Sequence, residues 1–234
     1  VLLFIMFLRV GARILSWIQS PSTNPTLLKG LKNGKKFLRI PQDPRLQDSA
    51  TIIRSKNEAE GIEFTWTTWL FIDDMVYRQG QKKHIFHKGS ADMNRKTWNE
   101  KDITGLAFPN NGPGLYLHET ENKLIVVMNT FDKIIEEVEI PNIPMNKWIN
   151  VVLRQQGRNL DVFINGTIAI RHVMSSPPKQ NYGDVYINMN NGFSGLMSSL
   201  RYFSYALSAA EIRDVNNGGP NMTADESLAI FPPY

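Results

Sequence analysis

The sequence predicts an antiparallel all-β sandwich with one short C-terminal helix, preceded by a separate N-terminal helix. Three observations predict it. From about residue 50, short runs rich in β-branched and aromatic residues alternate with closely spaced turn residues, as strands do. Only one later stretch carries both start and stop signals for a helix. The opening VLLFIMFLRVGARILSWIQS is apolar for most of its length and has no strand punctuation.

Residues 1–20 are read as a membrane anchor helix. Eighteen residues of helix span roughly 27 Å, close to a hydrocarbon core of ~30 Å. Arg9, Arg13 and Ser16 fall on one helical face, where arginine is costly unless it snorkels to the interface. The chain opens without Met, so the apolar run is expected to continue upstream, with Arg9, Arg13 and Trp17 at the membrane boundary. Three other readings stay open: an amphipathic helix lying in the interface, a cleaved signal peptide, and a helix buried in a complex. The signal peptide is disfavoured, because basic residues come after the apolar run and no A-x-A site is present.

Pro21 and Pro25 end the helix, and residues 21–49 read as a basic linker. Lys29, Lys32, Lys35 and Lys36 lie near enough to the anchor for the positive-inside rule to place the β domain on the cytosolic side. They suit anionic headgroups, or equally a solvated linker. Charge is unevenly divided. Of 26 basic residues, seven lie in residues 1–40, which hold no acid; the other 19 face 22 acidic residues, a net of −3. A mildly acidic globular part does not fit a nucleic-acid surface. The absence of cysteine excludes disulfides and thiolate metal sites.

Strands are predicted over 62–72, 83–88, 103–108, 114–119, 123–129 and 134–140, then three in succession within 148–173, and finally over 183–190 and 195–205. Asn165-Gly166 between apolar runs is a strong hairpin signal, since both central residues of a type I′ turn need positive φ. Ser208 with Glu211 forms a capping box, and Asn217-Gly218-Gly219-Pro220 stops the helix it starts. The globular domain is thus placed at 50–217, with a tail at 218–234.

The ordered phrases FTWTTWLFI, HIFHKG, GLYL, NKWINVVLRQQGRNLDVFINGTIA and FSGLMSSLRYFSYALSAAEI resemble the laminin-G-like, concanavalin A-like jelly roll over about residues 50–217. Met197 departs from the family's Ile or Leu, a mild change for a core position. More narrowly, VVMNTF, IPNIPMNKW and the run from Pro178 look like membrane-anchored members encoded by large double-stranded DNA viruses. That likeness implies a minor capsid or virion protein with its β domain on the cytosolic, capsid-facing side. The implied partners are a lipid membrane and other capsid or membrane proteins.

Glu136-Glu137-Val138-Glu139 invites comparison with the E-x-D-x-E strand of jelly-roll glucanases. Glu137 and Glu139 share a face, but Ile135 takes the third place on it, so the pair of carboxylates for retaining hydrolysis is missing. His84 and His87 are three apart, which on a regular strand sets them on opposite faces and prevents joint metal binding unless a bulge intervenes. His118 and His172 are isolated in sequence. No catalytic motif and no cofactor is expected, which points to a non-enzyme.

The resemblance adds calcium as a candidate, with oxygen ligands from Asp92 and Asn94, or from Asp184 with Asn190 and Asn191. Asn188 to Gly192 reads more simply as a turn. Tyr116, Tyr182 and Tyr186, if exposed, suit a sugar or protein contact. Asn165 and Asn221 begin glycosylation sequons, and Asn165 already has a role in its turn. Two functions are implied: a structural, membrane-anchored capsid component linking an inner membrane to a shell, or a membrane-tethered carbohydrate-binding module.

Overall fold

The computed structural model describes residues 2–19, 21–58 and 61–224. In chain order the elements are α1 (Leu2–Gln19), β1 (Leu31–Asn33), β2 (Leu38–Ile40), β3 (Lys56–Glu58), β4 (Gly61–Asp74) and β5 (Lys83–Gly89). They continue with β6 (Thr97–Trp98), β7 (Lys101–Asp102), β8 (Asn111–Leu117), β9 (Lys123–Met128), β10 (Glu136–Pro141) and β11 (Trp148–Gln156). The last are β12 (Asn159–Ile164), β13 (Thr167–Val173), β14 (Asp184–Ile187), β15 (Ser194–Phe203) and α2 (Ala209–Asn217).

Two antiparallel sheets face each other. Sheet one runs β1-β15-β4-β11-β12-β13, with β3 paired to the start of β4; sheet two runs β10-β9-β8-β5-β14-β2. Period-two alternation explains the core between them. Ile62, Phe64, Trp66, Leu70 and Ile72 of β4 point inward with Ile149, Val151 and Leu153 of β11, meeting Leu115, Leu117, Leu124 and Val126 of sheet two. Trp66 is the pivot, 5.3 Å from the Phe86 ring and 5.2 Å from that of Tyr202.

The predicted turns form as their residues demand. Asn165 and Gly166 have φ of 51° and 75°. Asn165 Oδ1 also accepts from the Asn150 backbone N–H at 2.9 Å, locking β11 to the turn. Ser208 caps α2 in a capping box with Glu211, and Ile212 packs beside Val152, Phe203 and Leu207 on the outer face of sheet one.

Several expectations change. Residues 21–49 are not only a linker: β1 adds to sheet one, β2 to sheet two, and Leu27 and Leu28 enter the core. Lys32, expected at a membrane interface, is buried at 7% exposure on β1, because it stands directly across from the core residue Met197 of β15. Residues 103–108 are not a strand. Ile103 to Leu106 close a turn around Gly105, whose φ of 88° and close approach to the Lys82 carbonyl exclude a Cβ. The segment 90–110 lies over the outer face of sheet two, where Ile103, Leu106 and Phe108 pack on Tyr116, Ile125 and Val127. Of the tail, residues 225–234 lie outside the described residues; Ala224 forms a parallel bridge with Leu31.

α1 is a helix as predicted, and Phe4, Phe7, Leu8, Val10, Ile14 and Leu15 are all exposed on it. Arg9 and Arg13 are exposed too. The side chain of Trp17 lies outside the described ones. Among the described residues no helix is long and apolar enough to cross a membrane. The expected span therefore finds no counterpart in α1, whose 18 residues are interrupted by two arginines on one face.

Candidate functional site

Three places were open to chemistry: the outer face of sheet two, the loop rims, and the ends of the sandwich between the sheets.

The outer face of sheet two carries Glu137 and Glu139, aligned across the strands with Val127 and Ile125. Next to them lies Tyr116, fully buried at 0% exposure. Its hydroxyl donates to Asn111 Oδ1 and accepts from the Ala107 N–H. Tyr116 is therefore not a contact for an outside ligand, because the 90–110 segment seals it. Tyr186 is also buried, at 7%, stacked 5.1 Å from the His87 ring and 6.5 Å from the exposed Phe37. Both tyrosines depart from the expected sugar or protein contact for the same reason: chain and neighbouring rings cover the face they occupy.

The histidines depart from the regular-strand expectation. A register shift between His84 and Phe86 puts an extra residue into β5, and this bulge brings His84 and His87 to one face. His84 Nε2 lies 2.7 Å from His87 Nδ1. The Met189 N–H donates to His84 Nδ1, so His84 carries its proton on Nε2 and donates to His87, which in turn donates from Nε2 to the Ser90 carbonyl. All four ring nitrogens are used, and no lone pair is left for a metal. Burial pushes His84 well below its usual value, helped by its neighbour, and pushes His87 down to about 4.

Glu136 is buried on the inner side of its strand. Its carboxylate accepts from the Ser175 N–H at 2.9 Å and hydroxyl at 2.6 Å, from Thr130, and contacts His172 Nε2 at 3.1 Å. Serine, histidine and glutamate meet here, yet the serine hydroxyl is spent on the carboxylate. The histidine has no serine to deprotonate, so this is a clamp between β10 and the end of β13 rather than a triad.

The calcium candidates do not form a donor set. Asp184 is held by Arg39 at 2.6 Å and accepts from the Gln42 N–H. Asp92 Oδ1 caps a turn by accepting from the Asn94 N–H at 2.8 Å. Asn190 Oδ1 accepts from Arg78, and Asn190 and Asn191 adopt the positive φ of a turn. Among the described residues no group of three or more His, Asp or Glu could hold a metal ion.

What remains is a cavity of about 430 Å³ at one end of the sandwich. Its floor reaches Phe64, Trp66 and Tyr202 of sheet one, and Lys88 of β5 forms the wall from sheet two. Ile52, Ile53 and Arg54 of the strap before β3 close one side; Lys179 to Tyr182 close the other. Tyr182 stands at the mouth with its side chain 93% exposed, the one predicted tyrosine that is free for a ligand. Gln180 Nε2 donates to Ser55 Oγ at 2.8 Å, joining the two sides. Apolar depth with a few polar groups at the rim is the usual make-up of a small-ligand site, and the volume falls within the roughly 300–1,000 Å³ such sites occupy.

Lys88 was missed in the sequence. It lies opposite Val185, a core position, and this pairing sets a charge on the inward side of β5. The bulge in β5 breaks the alternation that would have shown its face in KHIFHKG.

The match to the family model for the concanavalin A-like lectin/glucanases superfamily, of the laminin-G type, runs over residues 47–213. The chain belongs to this superfamily. No curated protein matches. Among solved structures, the chain is similar to the botulinum neurotoxin serotype D binding domain, at 13% identity and a TM-score of 0.51, covering 67% of this chain and 37% of that one. It is similar to the binding domain of botulinum neurotoxin DC in complex with rat synaptotagmin II, at 15% identity and a TM-score of 0.50, covering 67% and 36%. The receptor binding domain of the C/D mosaic serotype gives 13%, 0.50, 67% and 36%. The chain spans little more than a third of those structures, and at these identities the likeness is one of fold. The family match takes in the central strands of both sheets, and with them the 90–110 segment that fills the outer face of sheet two.

Proposed function

We propose that this chain is a non-catalytic binding module of the concanavalin A-like type, which takes a saccharide in its end cavity and works at a membrane surface. The cavity is the observation that carries the reading: it has an apolar floor, hydrogen-bonding groups at its rim, and an exposed tyrosine at its mouth. Exposed aromatics beside polar rims suit pyranose rings, which offer one apolar face and several hydroxyls. The absence of catalysis rests on geometry. Ile135 stands where the face of Glu137 and Glu139 would need its outer carboxylate, and the Ser175 hydroxyl is bonded to Glu136 rather than to His172.

Attachment to the membrane rests on α1 and the exposed Lys29, Lys35 and Lys36. In this reading the helix lies in the interface with its arginines toward headgroups, and the lysines add attraction to anionic lipid. The sandwich faces the cytosolic side. A second reading keeps the same anchor and makes the domain a building block between a viral inner membrane and its shell. The apolar surface of α1, uncovered by the described chain, favours it.

A saccharide array probed with the full chain in detergent tests the first reading. Binding should weaken at least tenfold in Tyr182→Ala; a blank array rejects it. Location of the chain between membrane and shell of purified particles would instead establish the second. Flotation with anionic vesicles should be lost on deleting residues 1–19, and retained flotation would remove α1 from the proposal.

A further inference from the structure

The end cavity has a charge pattern that a neutral sugar does not need. Its lining carries three cations, Arg54, Lys88 and Lys179, against one carboxylate, Asp43. Asp43 is already paired with Arg45 at 2.7 Å. Arg54 and Lys179 are exposed at the mouth, and neither makes an ion pair among the described residues; the Lys179 ammonium sits 5.4 Å over the Phe131 ring.

Lys88 is the unusual member. It is 7% exposed, and its Nζ donates to the carbonyls of Asn181 at 3.0 Å and Gly183 at 2.6 Å. An ammonium has three donors, so one is left over. No carboxylate lies within ion-pair distance of it among the described residues. The nearest acid acting on it, Asp184, is taken up by Arg39. A buried charge without a counter-charge is costly and is retained where something else supplies one. Burial pushes the Lys88 ammonium down to about 8, so near neutral pH it stays largely charged.

We infer that the cavity selects an anionic saccharide, whose carboxylate or sulfate docks on Lys88 with Arg54 and Lys179 at the entrance, while the sugar ring rests near Tyr182. This rests on the saccharide reading and adds the charge of the ligand to it. The two carbonyls fix the ammonium in place before the ligand arrives, so little order is lost on binding. The two mouth cations steer an anion inward and discriminate against neutral sugars at the rim.

The test is calorimetric titration of the full chain in detergent with four probes: a disaccharide ending in glucuronic acid, its neutral glucose counterpart, glucose 6-sulfate and inorganic sulfate. The glucuronic disaccharide should bind at least tenfold more tightly than the neutral one. Lys88→Met should abolish that preference, and the double variant Arg54→Gln, Lys179→Gln should reduce it severalfold. Tighter binding of the sulfated sugar than of the uronate would support the charge requirement and name the ester as the anion. Equal binding of charged and neutral disaccharides overturns the inference but leaves the saccharide reading standing. No binding of any sugar removes both. Inorganic sulfate matching the best sugar also overturns it, since the cavity would then hold only a simple anion. Thermal melting accompanies each variant; should Lys88→Met melt early, the surface double variant decides, because both its positions are exposed.

Discussion

Strand β5 buries ionisable side chains on both faces, and the two faces treat them differently. Toward the core it sends Lys83 at one end and Lys88 at the other, across from Leu117 and Val185. Toward the outside it sends His84 and His87, brought together by the bulge. The histidines solve burial as a closed pair: they share a hydrogen bond and both stay neutral. The lysines solve it singly, by reaching backbone carbonyls at opposite ends of the sandwich. Lys83 Nζ donates to His118 at 2.8 Å and Glu119 at 3.1 Å in a sealed setting. Lys88 does the same at the wall of a cavity. The same local chemistry thus makes a structural cap at one end and a waiting charge at the other. Space decides which.

The largest expected effect strikes the histidine face. His87 falls from 6.5 unfolded to about 4 folded, and His84 shifts in the same direction. Between those values the unfolded chain binds more protons, so this stability is present above pH 6.5 and is lost as pH falls toward 4. For His87 alone the loss is about 3 kcal/mol. The charges nearby do not rescue it: Tyr116 and Tyr186, which flank the rings, are neutral there, and no acid is paired with either histidine among the described residues. Urea denaturation at pH 7 and pH 4.5 measures the difference. If His87→Gln leaves the acid loss unchanged, the histidine pair is not its source.

Next comes a contrast between the two lysines. Lys83→Met takes away the Lys83 donor from the His118 carbonyl, while the Glu119 carbonyl keeps the Gly80 N–H, and costs about 2 kcal/mol. Lys88→Met exposes its carbonyls to a cavity that water can enter, and it also removes a poorly compensated charge. Its effect should stay under about 1 kcal/mol. Equal losses in the two variants, measured by urea midpoints, would break the distinction between cap and open charge.

How much of this was readable depended on how far apart the partners lie in the chain. Asn165-Gly166 and Ser208 with Glu211 are local devices, and each forms where its own residues put it. Core alternation in β4 was readable for the same reason. Residues 31–33 and 38–40 looked like linker because each strand is only three residues long and its partners, β15 and β14, lie far along the chain. The 103–108 run looked like a strand because it is apolar; what it covers, Tyr116 and Ile125, is apolar too. His84 and His87 came together through a bulge that no residue in KHIFHKG announces. The cavity was illegible as a whole, since its walls come from the strap at 42–55, from β5 and from 179–182. Tyr182 was legible in it as an aromatic suited to a contact, whereas Lys88 was not, because the bulge in β5 interrupts the alternation that would have placed it inward.

The smallest effect is also the most specific to the open end of β5. Lys88 has an ordinary value of 10.5 and is pushed down to about 8 by burial, against the opposing pull of Asp184. Above pH 8 the folded chain gives up this proton before the unfolded one does. Stability from this group therefore grows as pH rises from 8 toward 10.5, and its absence below pH 8 is the cost of holding the charge ready. Lys83 shifts in the same direction and adds to the background. Above pH ~10 the unfolded tyrosines begin to ionise, and Tyr116 and Tyr202, which burial pushes up, then act in the opposite sense. The clean window is therefore pH 8 to 9. There, the stability of the parent chain should rise by about 1 kcal/mol relative to Lys88→Met. Adding an acidic sugar at saturating concentration should flatten that rise, because a bound anion holds the proton on Lys88. A rise that persists with the sugar bound would mean that the anion does not sit on this lysine.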